Sequence, residues 1–267
     1  MDLALFDFDG TLTTRETFPD FVKLAVPRRR LAWGRVRFAP AVLAYRAGWL
    51  SGVRLRADLV RFGLRGMCEA RYRQWGKGFA DTVLPGLLRA DAMERMAWHQ
   101  ARGDVVVVVS GGLDVYLAPW CARHGVGLLC SRLEVVDGRL SGRYAGAQCV
   151  GMEKARQVQA KFGAAMASTA ARLADRRADG QDIALGALQA ALQGAGAGDG
   201  FADRHVDPLP RADDPGIRQG KPGRTFDRVH AYGDTPEDRE LLALADHAHY
   251  RGRALDGGDV NAALAAQ

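Results

Sequence analysis

Cysteine is scarce in this chain. Its four copies, Cys68, Cys121, Cys130 and Cys149, contain no C-x-x-C pair. Neither a zinc ligand set nor a disulfide framework is expected; the four read as core thiols, and a reducing cytoplasm is the expected compartment. Long apolar runs are also missing. Charge-free apolar stretches such as Phe38 to Tyr45 and Val105 to Leu113 fall far short of the ~18 residues that span a bilayer. The chain starts Met-Asp-Leu-Ala-Leu-Phe-Asp, without a basic n-region, so no signal peptide is expected. Acidic residues are almost absent from Arg15 to Lys77, which holds fifteen basic and four acidic side chains. That segment carries +11 against +6 for the whole chain, leaving −5 for the rest. Such asymmetry suggests an anionic partner for the basic segment (phosphorylated substrate, acidic lipid or nucleic acid) or a solvated arginine-rich helical surface.

What the chain does have is 48% hydrophobic and 25% charged residues over 267 positions, enough for one sizeable core plus an insertion or cap. Leu3-Ala-Leu-Phe6 ends in Asp7-Phe-Asp9-Gly10-Thr11, and five valines from Val105 to Val109 end in Ser110-Gly111-Gly112. Both read as buried strands ending in a turn, as do Val229 to Tyr232 before Gly233-Asp234, and His247 to Tyr250. Helical patterns over Leu87 to Ala101, Asp114 to His124 and Glu237 to Ala245 separate them. Alternation of this kind predicts an α/β fold with an open, mostly parallel sheet whose polar groups meet in a crevice at the strands' carboxyl ends. Leu128 to Tyr144 reads as a hairpin-like excursion around Asp137-Gly138.

Two regions interrupt the scheme. Residues 15–83 place Phe38, Val42, Tyr45, Trp49, Leu55, Leu59 and Phe62 at helical spacing among arginines, which predicts a helical cap inserted after the first strand. Residues 163–224 are expected to form a flexible surface insertion without chemistry: positions 160–199 hold fourteen alanines and six glycines, and Pro208, Pro210, Pro215 and Pro222 follow. The core is then expected over 1–14 and 84–252, with 253–267 a tail.

Asp7 and Asp9 stand two apart where a strand ends, so both carboxylates can approach one crevice and divide the work of nucleophile and proton carrier. Asp7-Phe-Asp9-Gly10-Thr11, Ser110-Gly111, Lys154 and Gly233-Asp234-Thr-Pro-Glu-Asp238 occur in that order at predicted element ends. The set resembles the haloacid dehalogenase superfamily of phosphohydrolases, and its spelling is similar to the phosphoserine-phosphatase-like subgroup (subfamily IB), over residues 1 to about 160 and about 226 to 252.

The resemblance implies a HAD-like Rossmannoid sheet and a phosphomonoester phosphatase. By it, Asp7 attacks phosphorus to give an aspartyl-phosphate, while Asp9 protonates the leaving oxygen and then activates water. Thr11, Ser110 and Gly111 hold phosphate, and Lys154 offsets its charge. Hard oxygen donors without imidazole or thiolate point to Mg²⁺, and the family pattern implies Asp7, the Asp9 carbonyl and Asp234 as its ligands. Asp238 either steadies that shell or Lys154, or is an exposed helix carboxylate. Glu16 matches a position that contacts a substrate amine, or else pairs with an arginine. The 79 residues between Lys154 and Asp234 depart from the family's usual short connection. The expected substrate is a small polar phosphate such as phosphoserine or a lipid phosphate, the latter favoured by Trp33, Phe38, Tyr45 and Trp49 among arginines, with peripheral contact to an acidic membrane. A phosphotransferase, or a basic membrane- or nucleic-acid-binding module on the same scaffold, are the alternatives. Intact motifs argue against the module and against nucleic acid.

Overall fold

The computed structural model describes residues 1–178 and 225–255. Its centre is a six-stranded sheet in the order β3-β2-β1-β6-β7-β8, with β1 Leu3–Phe6, β2 Val105–Leu113, β3 Gly127–Ser131, β6 Val229–Gly233, β7 His247–Tyr250 and β8 Arg253–Leu255. All neighbours are parallel except β7 and β8. β1 and β2 are apolar because helices cover both faces of the sheet, and their side chains alternate between two cores. Ala4, Phe6, Val106 and Val108 face one core; Leu3, Leu5, Val107 and Val109 face the other. Helices α5 (Ala90–Ala101) and α6 (Asp114–His124) contribute Met96, Leu117 and Trp120 to the first. Helix α7 (Met152–Ala178) sends Val158, Phe162 and Met166 to the second.

Four helices lie between β1 and α5: α1 Phe18–Ala25, α2 Arg28–Arg46, α3 Gly52–Leu64 and α4 Glu69–Thr82. Two of them root in the first core through rings: Phe21 and Phe79 meet Tyr116 of α6 at centroid distances of 5.1 and 5.2 Å. Gly76 lets α4 approach so closely that a Cβ there would strike the Val115 carbonyl. The chain passes from the sheet to these helices and back through paired segments, with Thr14 N–H donating to Leu87 O and Arg89 N–H to Leu12 O.

Several expectations change. Leu128 to Ser131 belongs to β3 of the parallel sheet, so the antiparallel hairpin is only β4 (Leu133–Val136) and β5 (Arg139–Tyr144), turning at Asp137-Gly138. Period-2 alternation is shared by both elements, so the pattern gave no boundary between them. β2 continues through Leu113, and Ser110-Gly111-Gly112 is an irregularity in its pairing with β3 rather than the strand's end. The helix expected over Glu237 to Ala245 is a 3₁₀ turn, Pro236–Asp238, followed by one α turn, α8 (Arg239–Leu242); Asp246 N–H then bonds Val229 O and returns the chain to the sheet. Gly163 lies inside α7, with Phe162, Ala165 and Met166 against the core, so the insertion does not begin there. The rest of the expected insertion, from 179 to 224, lies outside the described residues, as does the tail beyond Leu255. Arg253 to Leu255, expected in the tail, form the edge strand β8. Cys68 is exposed, so it is not a core thiol; Cys121 and Cys149 are buried.

Candidate active site

β1 is buried along its length and delivers Asp7 at its carboxyl end, where the Asp7 N–H still donates to Tyr232 O of β6 at 2.9 Å. Phe8 turns into the core, leaving Asp7 and Asp9 on the crevice side. Gly10, at φ +85°, occupies a left-handed conformation, and a Cβ there would collide with the Asp234 carboxylate. The loops after β1 and β6 approach because this position has no side chain. Thr11 Oγ1 then donates to Asp234 Oδ1 at 3.1 Å and ties them together.

Lys154, in the first turn of α7, reaches across the sheet end. Its Nζ lies 2.6 Å from Asp7 Oδ1 and 2.5 Å from Asp238 Oδ1, and all three side chains are nearly solvent-free. Burial alone would lower the ammonium's pKa; the charges of Asp7 and Asp238 overcome this and hold it above the ordinary lysine range. Asp7 is pushed upward by burial, with Lys154 opposing. Asp238 is fully buried, not exposed on a helix, and its Oδ2 accepts from Asp234 N–H, Thr235 N–H and the Thr235 hydroxyl at 3.0–3.1 Å. Both of its oxygens are therefore engaged, whereas Asp7 Oδ2 makes no hydrogen bond to a described residue.

Asp9 is held by Thr17, whose N–H and hydroxyl donate to Oδ1 at 2.8 and 2.6 Å. The Tyr116 hydroxyl lies 3.2 Å from Thr17 Oγ1. Burial raises the Asp9 carboxyl to about 6, against the lowering effect of the Thr17 bonds. A carboxyl poised there can both give and take a proton near neutral pH.

From α3, Arg56 closes the mouth. Its guanidinium is 3.4 Å from Glu16 and 3.8 Å from Glu237. Asp7, Asp9, Glu16, Arg56, Gly111 and Lys154 share a cavity of ≈ 20 Å³, room for about one water. A larger cleft of ≈ 170 Å³ lies beyond Asp234, lined by Thr11, Arg89, Arg95 and Arg251. We place the chemistry in the smaller space, because it contains the lysine-paired carboxylate and the poised one. Of the residues expected at the site, Asp7, Asp9, Glu16, Gly111 and Lys154 meet there. Thr11 and Asp234 stand at its border with the larger cleft. Ser110 is fully buried, and its hydroxyl accepts from Gly112 N–H at 2.9 Å within its own turn. Sequence reasoning missed Arg56, Thr17 and Glu237. Arg56 is one of fifteen cations in its segment and has no motif around it, while Thr17 acts only through Asp9.

Carboxylate oxygens of Asp7, Asp234 and Asp238 lie within 4.8 Å of one another. Three carboxylates and one ammonium leave an excess of negative charge that a divalent cation would neutralise, and an all-oxygen donor set suits a hard ion such as Mg²⁺. Since Asp238 is saturated by Lys154 and backbone amides, Asp7 and Asp234 are the carboxylates that fit as direct ligands.

A parallel sheet with acidic groups converging at its carboxyl edge beneath inserted helices is an arrangement consistent with the HAD class of hydrolases. The chain belongs to the haloacid dehalogenase-like hydrolase family, whose model matches residues 4–181. It is 35% identical over 171 residues to protein CicA of Caulobacter vibrioides, spanning 63% of this chain and 76% of that protein. A Bordetella pertussis Tohama I protein of unknown function shares the fold at a TM-score of 0.59 and 20% identity, covering 92% of this chain and 88% of the other. A probable phosphoserine phosphatase from Vibrio cholerae superposes with a TM-score of 0.52 and 16% identity, over 93% of this chain and 56% of that one. Among the described residues, no helix is long and apolar enough to cross a membrane.

Proposed function

We propose that the protein is a Mg²⁺-dependent phosphomonoester phosphatase that works through an aspartyl-phosphate on Asp7 and takes a small polar substrate. The observation that carries this is the Lys154 ammonium fixed between Asp7 Oδ1 and Asp238, which leaves Asp7 Oδ2 unbonded beside the cavity shared with Asp9. In this reading Oδ2 attacks phosphorus and the ester P–O bond breaks. Asp9, poised at about 6, gives its proton to the departing alkoxide oxygen. It then takes a proton from the water that attacks the phosphorylated Asp7, which releases inorganic phosphate and restores the Asp7 carboxylate and the protonated Asp9. Lys154 balances the negative charge of the nucleophile and the phosphoryl group. Gly111 supplies backbone beside the phosphoryl oxygens, the buried Ser110 hydroxyl steadies that turn, and Thr11 orients Asp234. Mg²⁺, held by Asp7, the Asp9 carbonyl and Asp234, would neutralise charge and polarise a phosphoryl oxygen.

Substrate size follows from the roof. Glu16 and Arg56 offer one anion and one cation across the mouth, a pairing suited to an amine and a carboxylate on one small molecule. Trp33, Phe38, Tyr45 and Trp49, which suggested a lipid phosphate, do not line the cavity. The water-sized space also requires the α2–α3 region to move for entry and release.

The test is release of inorganic phosphate across phosphorylated amino acids, sugars, nucleotides and lysophospholipids with Mg²⁺ present. Turnover of a phosphorylated amino acid, weakened in Arg56→Ala chiefly through KM, is expected. Preference for lysophospholipids, or an unchanged KM in Arg56→Ala, would overturn the substrate assignment.

A further inference from the structure

Between Phe21 and Ala57 the chain carries nine basic residues and no acidic one. Helix α2 crosses the middle of this stretch, and none of its side chains is buried. Its inner face rests on α3: the Phe38 ring meets the Phe62 ring edge-on at 5.3 Å, and Gly34 lies against the Phe62 ring. Its outer face repeats Trp33, Val36, Pro40 and Leu43 at spacings of three, four and three, which aligns them in one stripe. Trp33, Val36 and Leu43 are 75%, 74% and 65% exposed, and Trp49, just past the helix, is 86% exposed. A contiguous exposed apolar stripe of this kind marks a surface that meets something.

The charges beside the stripe identify what. Arg28, Arg29 and Arg30 fill the first turn of α2 without an acidic residue, so their charge opposes the positive end of the helix dipole. Among the described residues, Arg28, Arg29, Arg35, Arg37 and Arg46 form no ion pair; elsewhere in the same stretch Lys23 meets Asp20, and Arg56 meets Glu16 and Glu237. We propose that the outer face of α2, with Trp49, docks the protein on an anionic lipid surface. Tryptophan favours the headgroup level, aliphatic side chains enter the acyl boundary, and flanking arginines meet lipid phosphates. A second copy of the chain is the less suitable occupant, because pairing this face with itself would bring two wholly basic stretches together. The inference goes beyond the phosphatase reading and does not depend on it: none of these residues lines the cavity, and a small soluble substrate remains compatible with a bound enzyme.

Co-sedimentation with vesicles of phosphatidylglycerol and phosphatidylcholine, and with phosphatidylcholine alone, tests it. Binding is expected only to the anionic vesicles, at low salt, with a blue shift of tryptophan emission. The triple variant Arg28→Ser/Arg29→Ser/Arg35→Ser should weaken partitioning on the order of 100-fold. Trp33→Ser/Trp49→Ser should lose the emission shift. Both variants should keep the wild-type melting temperature and any hydrolysis of a soluble phosphomonoester, so failure of docking and failure of the phosphatase reading are read separately. No sedimentation at low salt, equal binding to neutral vesicles, or binding indifferent to the arginine variant would overturn the proposal. So would lipid-free dimerisation abolished by the same substitutions, which would assign the face to a second copy.

Discussion

Replacing Lys154 by Met removes the ammonium while keeping a side chain of similar length, so the effect isolates charge. In the native site Nζ is 2.6 Å from Asp7 and 2.5 Å from Asp238, with both partners almost wholly buried. Without it two carboxylates face each other in a site that still desolvates them. Breaking a buried pair in this way costs about 3–5 kcal/mol. At about 2–4 °C per kcal/mol for a chain of this size, the melting temperature should fall by about 6–20 °C at pH 7.5. The pH dependence is the sharper signature. Burial already raises Asp7, and loss of the opposing lysine raises it further. The folded variant then holds a proton that the unfolded chain releases above about pH 3.9, so its stability falls as pH rises. The deficit relative to wild type should therefore shrink at pH 5, and adding Asp238→Asn should recover part of it at pH 7.5. Urea denaturation of the three proteins at both pH values, without divalent metal, checks this. A Lys154→Met protein with the wild-type midpoint at pH 7.5, or with an equal deficit at both pH values, would refute the reasoning.

Asp9→Asn should lower kcat by about 10²–10⁴-fold through loss of proton transfer while retaining Mg²⁺ affinity by calorimetry, since the assigned ligand there is the carbonyl; loss of metal binding would contradict the division of roles. Gly10→Ala should cost at least about 1–3 kcal/mol from backbone strain and should impair turnover by displacing Asp234. A fully active, equally stable variant would be inconsistent with the close approach of the two loops. His99, His230 and His249 all have lowered pKa values, first through burial, with His249 at about 4. The unfolded chain takes up these protons from about pH 6.5 downward, so stability should be full above that value and fall toward pH 4, less steeply in His249→Gln. A flat denaturation midpoint across that window would exclude the linkage.

How much of this was legible in the sequence depended on whether local pattern or distant contact set the structure. β1 is a short apolar run closed by Asp-Gly-Thr, β6 and β7 are short histidine-containing runs closed by Gly-Asp and Tyr-Arg-Gly, and α6 carries its own stop at Gly125, with φ +64°; these elements appear where the sequence pattern puts them. The segment after Asp238 does not, because tertiary bonds between Asp246 and Val229 end a helix that propensity would extend. Asp7, Asp9 and Gly111 meet in one cavity because strand ends in a parallel sheet converge by topology, and Glu16 and Lys154 join them from the loop before α1 and the first turn of α7. Arg56 and Thr17 were illegible for the opposite reason: each is placed by packing of the helical region over the sheet end, and neither residue type stands out at its position. The exposed stripe on α2 reads in sequence like a core-facing helix face, and only the fold shows that Trp33 and Leu43 turn away from the core.

The central claim is that Asp7 is the nucleophile. Rapid acid quench of the Mg²⁺-loaded enzyme with a turned-over phosphomonoester, followed by peptide mass mapping, tests it most directly. One phosphoryl group is predicted on Asp7, acid-stable and released by hydroxylamine, and absent in Asp7→Asn. Rapid turnover with no phosphorylated peptide at any quench time, or a phosphoryl group on another residue, would contradict the account.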